Sequence, residues 1–275
     1  MVGNCRARVN EGGSLATPST SPRAWKKRRL NDSRGVGLSA LSELLERTAQ
    51  LGDASVKAIA SPFSSNEDLA ALAALVDALG GGEIQYRSER ADDEIVLKGF
   101  PTLARRKELA PNSVGADAIG LSRVGDDQAA GGIDSAAAHD GIVIVLGDPL
   151  ADVDDGFAES AGLFVYLGSH APEASSRAHF VLPMTTFAEQ EGSFTNVEGR
   201  VQRFWPALQA PGMARPAWLI LGALAGELSD VEAPRSAAEA FALLAGRVDA
   251  FQGLTYEDLG TRGAVVNETV SLLRA

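Results

Sequence analysis

Cysteine is almost absent: Cys5 stands alone in 275 residues. A lone thiol excludes an intrachain disulfide and falls short of the roughly four thiolates that a protein-held iron–sulfur cluster needs. Histidine is nearly as scarce, and His139, His170 and His179 lie in different stretches without the i, i+4 spacing of a helical zinc site. Each reads as structural or surface, so no metal ligand is expected. Aromatic residues make up only 6% of the chain, while hydrophobic residues make up 45%, so the core should be aliphatic and closely packed. No apolar run approaches the about 20 residues that cross a bilayer. The most apolar stretch, 217–226, is closed off by Arg215 and Glu227. The opening residues lack the apolar centre of a secretory signal, and Val2 excludes N-terminal myristoylation. Phosphate-binding loops of the G-x-x-x-x-G-K-[ST] kind and G-x-S-x-G elbows are also missing. A soluble or peripheral protein is expected.

Positive charge is in deficit: 25 Lys and Arg stand against 36 Asp and Glu, a net charge of −11. That balance argues against nucleic acid as a partner. The exception is local, where Arg23, Lys26, Lys27, Arg28, Arg29 and Arg34 crowd around Trp25. This run lies in residues 1–37, a stretch with Gly, Ser and Pro but no apolar period, and it reads as an irregular basic arm.

From Leu38 onward the chain alternates. Leu41, Leu44, Leu45 and Leu51 form a stripe on one helix face, ended by Gly52. Residues 56–60 read as a buried strand broken by Ser61-Pro62. Asn66 then serves as the N-cap of a helix to Leu79, with Glu67 and Asp68 in its first turn. The triple glycine 80–82 stops that helix, because a phosphate-binding glycine turn would sit between strand and helix instead. A strand at 83–86 completes a β-α-β unit, with a right-handed crossover expected. A strand at 94–97 and a loop with a short helix over 126–138 follow. Residues 142–146, Ile-Val-Ile-Val-Leu, are expected to form a central strand covered on both faces. Gly147-Asp148-Pro149 turns the chain into a helix at 150–161, and further strands are read at 163–167 and 179–182 with a short helix, 173–178, between them. After Trp205 the pattern turns helical, at 214–228, at 236–248, and again at 265–273. Trp205 and Trp218 both read as core anchors. Three parts result: a basic arm (1–37), an α/β domain (38–206) and a C-terminal helical segment (207–275). The class is α/β with a mainly parallel, doubly wound sheet.

The most informative stretch runs from His179 to Trp205. A short strand is closed by Pro183, and then comes Phe187-Ala-Glu-Gln-Glu-Gly-Ser-Phe-Thr-Asn-Val-Glu-Gly-Arg-Val-Gln202, a polar connection with few apolar residues. This run closely resembles the signature of the molybdopterin oxidoreductase superfamily, and within it the large iron–sulfur subunit (the G subunit) of NADH–quinone oxidoreductase, respiratory complex I. The segments 61–69, 110–120 and 147–149 resemble further stretches of that family. The resemblance implies a Rossmann-like domain. It also implies a structural and assembly role in the peripheral arm of complex I, with no catalysis by this chain alone and the other subunits of NADH–quinone oxidoreductase as partners. The chain would be cytoplasmic, touching the inner (cell) membrane only through the complex. With a single thiol, it is expected to hold no cofactor of its own, although the family uses iron–sulfur clusters or molybdopterin. The alternative is a fragment of a formate-dehydrogenase-like, molybdopterin-dependent enzyme. In that case Gly192, Thr195, Asn196, Glu198, Arg200 and Gln202 are the cofactor-binding candidates. Glu189 and Glu191 are read as structural: one glutamate pairs with Arg200, and Asn196 bonds the loop backbone.

Overall fold

The computed structural model describes residues 37–267 apart from 53, 89–90, 92, 125–128 and 230. The basic arm up to residue 36, Cys5 and the expected helix beyond residue 267 therefore lie outside the described residues. The helices are α1 (Gly37–Leu51), α2 (Asn66–Ala78), α3 (Ser113–Ile119), α4 (Ala129–Ala137), α5 (Ala217–Leu228) and α6 (Ala237–Arg247). The strands are β1 (Val56–Ala60), β2 (Gly82–Tyr86), β3 (Ile95–Leu97), β4 (Phe100–Arg105), β5 (Ser122–Arg123), β6 (Ile142–Leu146), β7 (Leu163–Gly168), β8 (Phe180–Pro183), β9 (Gly192–Thr195), β10 (Arg200–Phe204) and β11 (Ala264–Val265).

Six strands form one parallel sheet in the order β5-β2-β1-β6-β7-β8. This is the expected α/β class with a parallel sheet. β6 is fully buried, and its period of two feeds two cores. Ile142, Ile144 and Leu146 pack with α2 and α5 on one face. Val143 and Val145 pack on the other with Ile133 and Ala136 of α4, Phe157 and Phe164. Pro183 ends β8, at the sheet's edge, where a missing N–H breaks no ladder. The glycines after α2 stop it as expected: Gly80 and Gly81 take φ of 106° and 94°, and the Gly81 amide donates to the Val76 carbonyl.

Several expectations need correcting. The N-cap of α2 is Ser65, not Asn66: its hydroxyl accepts from the Asp68 amide while the Asp68 carboxylate accepts from the Ser65 amide. Residues 150–161 form turns, not a helix, with Pro149 and Gly156 interrupting the pattern. The long connection after β8, polar in sequence, is regular structure rather than an irregular loop. It folds into the antiparallel hairpin β9–β10, joined by β11 in a second sheet of three strands. β11 stands where the third C-terminal helix was expected to begin. Trp205 is 51% exposed and lies against the Arg203 guanidinium rather than in the core, whereas Trp218 is buried.

Candidate functional site

The centre of the molecule is a buried polar junction between the N-terminus of α2 and the β9–β10 hairpin. The consecutive side chains Asn66, Glu67 and Asp68 are all at most 1% exposed. Three adjacent polar groups at a helix start cannot all face one core, so each meets a different partner. Asn66 Nδ2 donates to Ser193 Oγ at 3.1 Å, and its Oδ1 accepts from Thr195 Oγ1 at 3.2 Å. Glu67 accepts from the Ser193 amide at 2.8 Å and from its hydroxyl at 2.7 Å. Asp68 accepts from Gln190 Nε2 and from the Trp218 amide, each at 2.8 Å. Asn112 closes the ring: its Oδ1 accepts from the Thr195 amide at 2.7 Å and its Nδ2 donates to the Ser64 carbonyl at 3.0 Å.

Burial sets the electrostatics of this junction. It pushes the Glu67 carboxyl up to about 7, with the Ser193 hydroxyl and amide pulling the other way. Asp68 is also raised by burial, opposed by donors from Gln190, Trp218 and Ser65. No other place in the described residues buries two carboxylates side by side. Gly115 shows how tightly the ring is drawn: a Cβ there would stand 2.2 Å from both Asn66 Oδ1 and Asn112 Oδ1.

The candidate residues divide between this junction and the hairpin turn. Gly192 and Thr195 lie in it, with Gly192 packed against Ser65, Glu67 and Phe204. Asn196, Glu198, Arg200 and Gln202 sit together at the turn. Asn196 Oδ1 accepts from the Glu198 and Arg200 amides, as expected of a residue that bonds loop backbone, and its Nδ2 donates to Gln202 at 3.3 Å. Arg200 donates to the Gly263 carbonyl. The expected Glu–Arg200 pair is instead Glu191–Arg203 at 2.6 Å, because β pairing turns Arg203 toward Glu191. Asn66, Glu67, Asp68, Asn112 and Gln190 were missed as a constellation. Their only trace in the sequence is three polar residues in a row at a helix start, which surface helices also show.

A second feature lies at the carboxyl ends of the parallel strands. Between β1 and β6 the chain runs outward in opposite directions, the place where open α/β sheets form a crevice. Gly147 takes φ of 80° there, and a Cβ on it would lie 2.7 Å from Ser61 Cβ and 3.2 Å from Ser64 Oγ. The Ser64 hydroxyl is buried without a hydrogen-bond partner in the structure. A glycine permitting close approach beside an unpaired hydroxyl fits a polar ligand group. Across the rim, Arg87 binds Asp152 and the Pro149 carbonyl. The histidines stay apart: His139 Nε2 lies 2.8 Å from the Ser55 carbonyl, His170 stands beside Ser169, and His179 Nδ1 accepts from the Phe164 amide. Among the described residues no group of three or more His, Cys, Asp or Glu could hold a metal ion. No helix among them is long and apolar enough to cross a membrane.

The fold and junction define a parallel α/β protein with an appended three-stranded sheet, and comparison with known proteins narrows the class. Residues 111–227 match the molybdopterin oxidoreductase family. It is 39% identical over 127 residues to the alpha subunit of F420-dependent formate dehydrogenase 2 of Methanococcus maripaludis, covering 44% of this chain and 19% of that protein. It is 32% identical over 130 residues to the second G subunit of NADH-quinone oxidoreductase from Rhizobium meliloti, covering 45% of this chain and 15% of that one. It is 40% identical over 65 residues to the mitochondrial NADH-ubiquinone oxidoreductase 78 kDa subunit of Candida albicans, covering 24% and 9%. The matches thus span less than a fifth of these relatives' own length. They also overturn the expectation that this chain holds no cofactor, since the family that it matches is named for one. The flaw was physical: a pterin is held by non-covalent contacts at strand ends and loops, so a count of thiols does not test for it.

Proposed function

We propose that this chain is the α/β scaffold portion of the large subunit of NADH–quinone oxidoreductase, placed in the peripheral arm and holding neighbouring subunits. In this reading it is cytoplasmic, reaches the membrane only through the complex and does not catalyse alone. The observation that carries it is the buried junction. Segments 61–69, 110–120 and 187–202 each resemble the family, and their polar side chains bond chiefly to one another. Such mutual satisfaction builds a rigid core and leaves the outer faces for contacts. The similarity to the Rhizobium and Candida subunits supports the same reading. Affinity purification of the tagged chain from solubilised membranes should bring NADH dehydrogenase subunits with it in fixed proportion. Recovery without them overturns the proposal.

A second reading is a portion of a formate-dehydrogenase-like enzyme. It is supported by the 39% identity to the Methanococcus subunit and by the rim at Gly147 and Ser64. In it the rim, with Gly192, Thr195, Asn196, Glu198, Arg200 and Gln202, would hold or border the pterin. The bound group would supply metal-centred redox chemistry, and these residues would orient it. Stoichiometric pterin with molybdenum or tungsten, recovered without NADH dehydrogenase subunits, would favour this reading over the first.

A further inference from the structure

We propose that the seating of the β9–β10 hairpin on α2 is proton-linked through Glu67: the hairpin holds most tightly when that side chain is protonated and loosens when it ionises. The geometry makes Glu67 the proton acceptor of the junction. Its neighbour Asp68 accepts from three N–H groups, those of Ser65, Gln190 and Trp218. Glu67 accepts from the Ser193 amide and hydroxyl and from its own backbone amide, so Ser193 is its one partner from another element. Two buried carboxylates in succession repel, and the one with fewer partners from other elements gives way.

The surrounding charges do not compensate. From β10, Arg203 faces this region but is held by Glu191 at 2.6 Å, with its guanidinium 4.0 Å above the Tyr256 ring. From α6, Arg247 lines the same small cavity as Glu67, together with Glu232, but is paired with Asp77 at 2.5 Å. Tyr256 adds a buried hydroxyl without a partner rather than a charge. Among the described residues no cation lies within ion-pair distance of Glu67, so sealing the hairpin over it places an unneutralised carboxylate beside the Phe204 ring and the Ser65 side chain. The Ser193 hydroxyl can rotate from donating to the carboxylate to accepting from the acid, so the pair keeps a hydrogen bond in both states.

The sign follows. Seated, the Glu67 carboxyl titrates at about 7, and exposed at its ordinary 4.5. The seated state therefore binds the extra proton between those values, and seating weakens as pH rises through that window. Asp68 is raised by burial too, but donors from Gln190, Trp218 and Ser65 oppose that shift. Release would break the hydrogen bonds that Ser193 and Thr195 make to α2, so the turn carrying Asn196 to Gln202 would move with the hairpin.

Hydrogen exchange of the full chain tests this, corrected for the intrinsic pH dependence of exchange. Protection across β9 should fall on the order of 10²-fold between about pH 5 and pH 8. In Glu67→Gln it should change less than about threefold over the same range. A native fall below about threefold, or an equal fall in Glu67→Gln, overturns the proposal. Should Glu67→Gln fail to fold, titration of the Glu67 carboxyl carbon in the native chain decides. A midpoint between about 6 and 8 supports the proposal and one near 4.5 overturns it.

Discussion

Replacing Asp68 by alanine tests whether the junction holds the two halves of the chain together. The side chain is fully buried, and its two oxygens serve three donors, two of them from distant parts of the sequence. Removing it deletes half of the α2 capping box, worth about 1 kcal/mol. It also strands the Trp218 amide and the Gln190 side chain in a site closed to water, at roughly 1–3 kcal/mol each. The expected loss is therefore about 3–7 kcal/mol, set against a total of about 5–15 kcal/mol for a domain. Asp68→Asn keeps the volume but turns an amide NH₂ toward at least one donor, and it also relieves the cost of a buried charge. Its loss should be smaller, about 1–3 kcal/mol. Urea unfolding followed by circular dichroism measures both. Asp93→Ala, at a largely exposed carboxylate on the far hairpin, is the control and should lie within about 0.5 kcal/mol of the native chain. A loss below about 1 kcal/mol in Asp68→Ala would refute the view that this junction is sealed and tightly satisfied.

Gly115→Ala should lower stability by about 2–4 kcal/mol despite alanine's better helix propensity, because its Cβ would collide with two buried, bonded amide oxygens; a thermal melt no lower than native would contradict the geometry. The two tryptophans should separate cleanly. Trp218→Ala should cost about 3–5 kcal/mol and Trp205→Ala less than about 1 kcal/mol in the same urea assay, with equal losses counting against the burial described here.

The sequence was most legible where one local rule decides. Residues 142–146 announce a central strand because only a strand covered on both faces tolerates five aliphatics in a row, and the structure places β6 there. Glycines 80 and 81 stop α2 because the backbone takes positive φ at both. Residues 150–161 misled because an acidic, apolar-spotted stretch satisfies a helical period whether or not anything supports it. Trp205 misled because size argues for burial, while a cation lying against the ring is an equally good outcome at the surface.

By itself the chain determined its alternation of strands and helices, the parallel sheet that this requires, and the likeness of 179–205 to one family, since these depend on residues close together in sequence. Only the tertiary structure decided that Asn66, Glu67 and Asp68 meet Gln190, Ser193 and Thr195 more than a hundred residues away. It also decided that the polar stretch after β8 is a hairpin. The physical reason is common to both. A polar side chain does not carry its partner's address in the sequence, and burial, which makes that partner obligatory, exists only once the chain has folded.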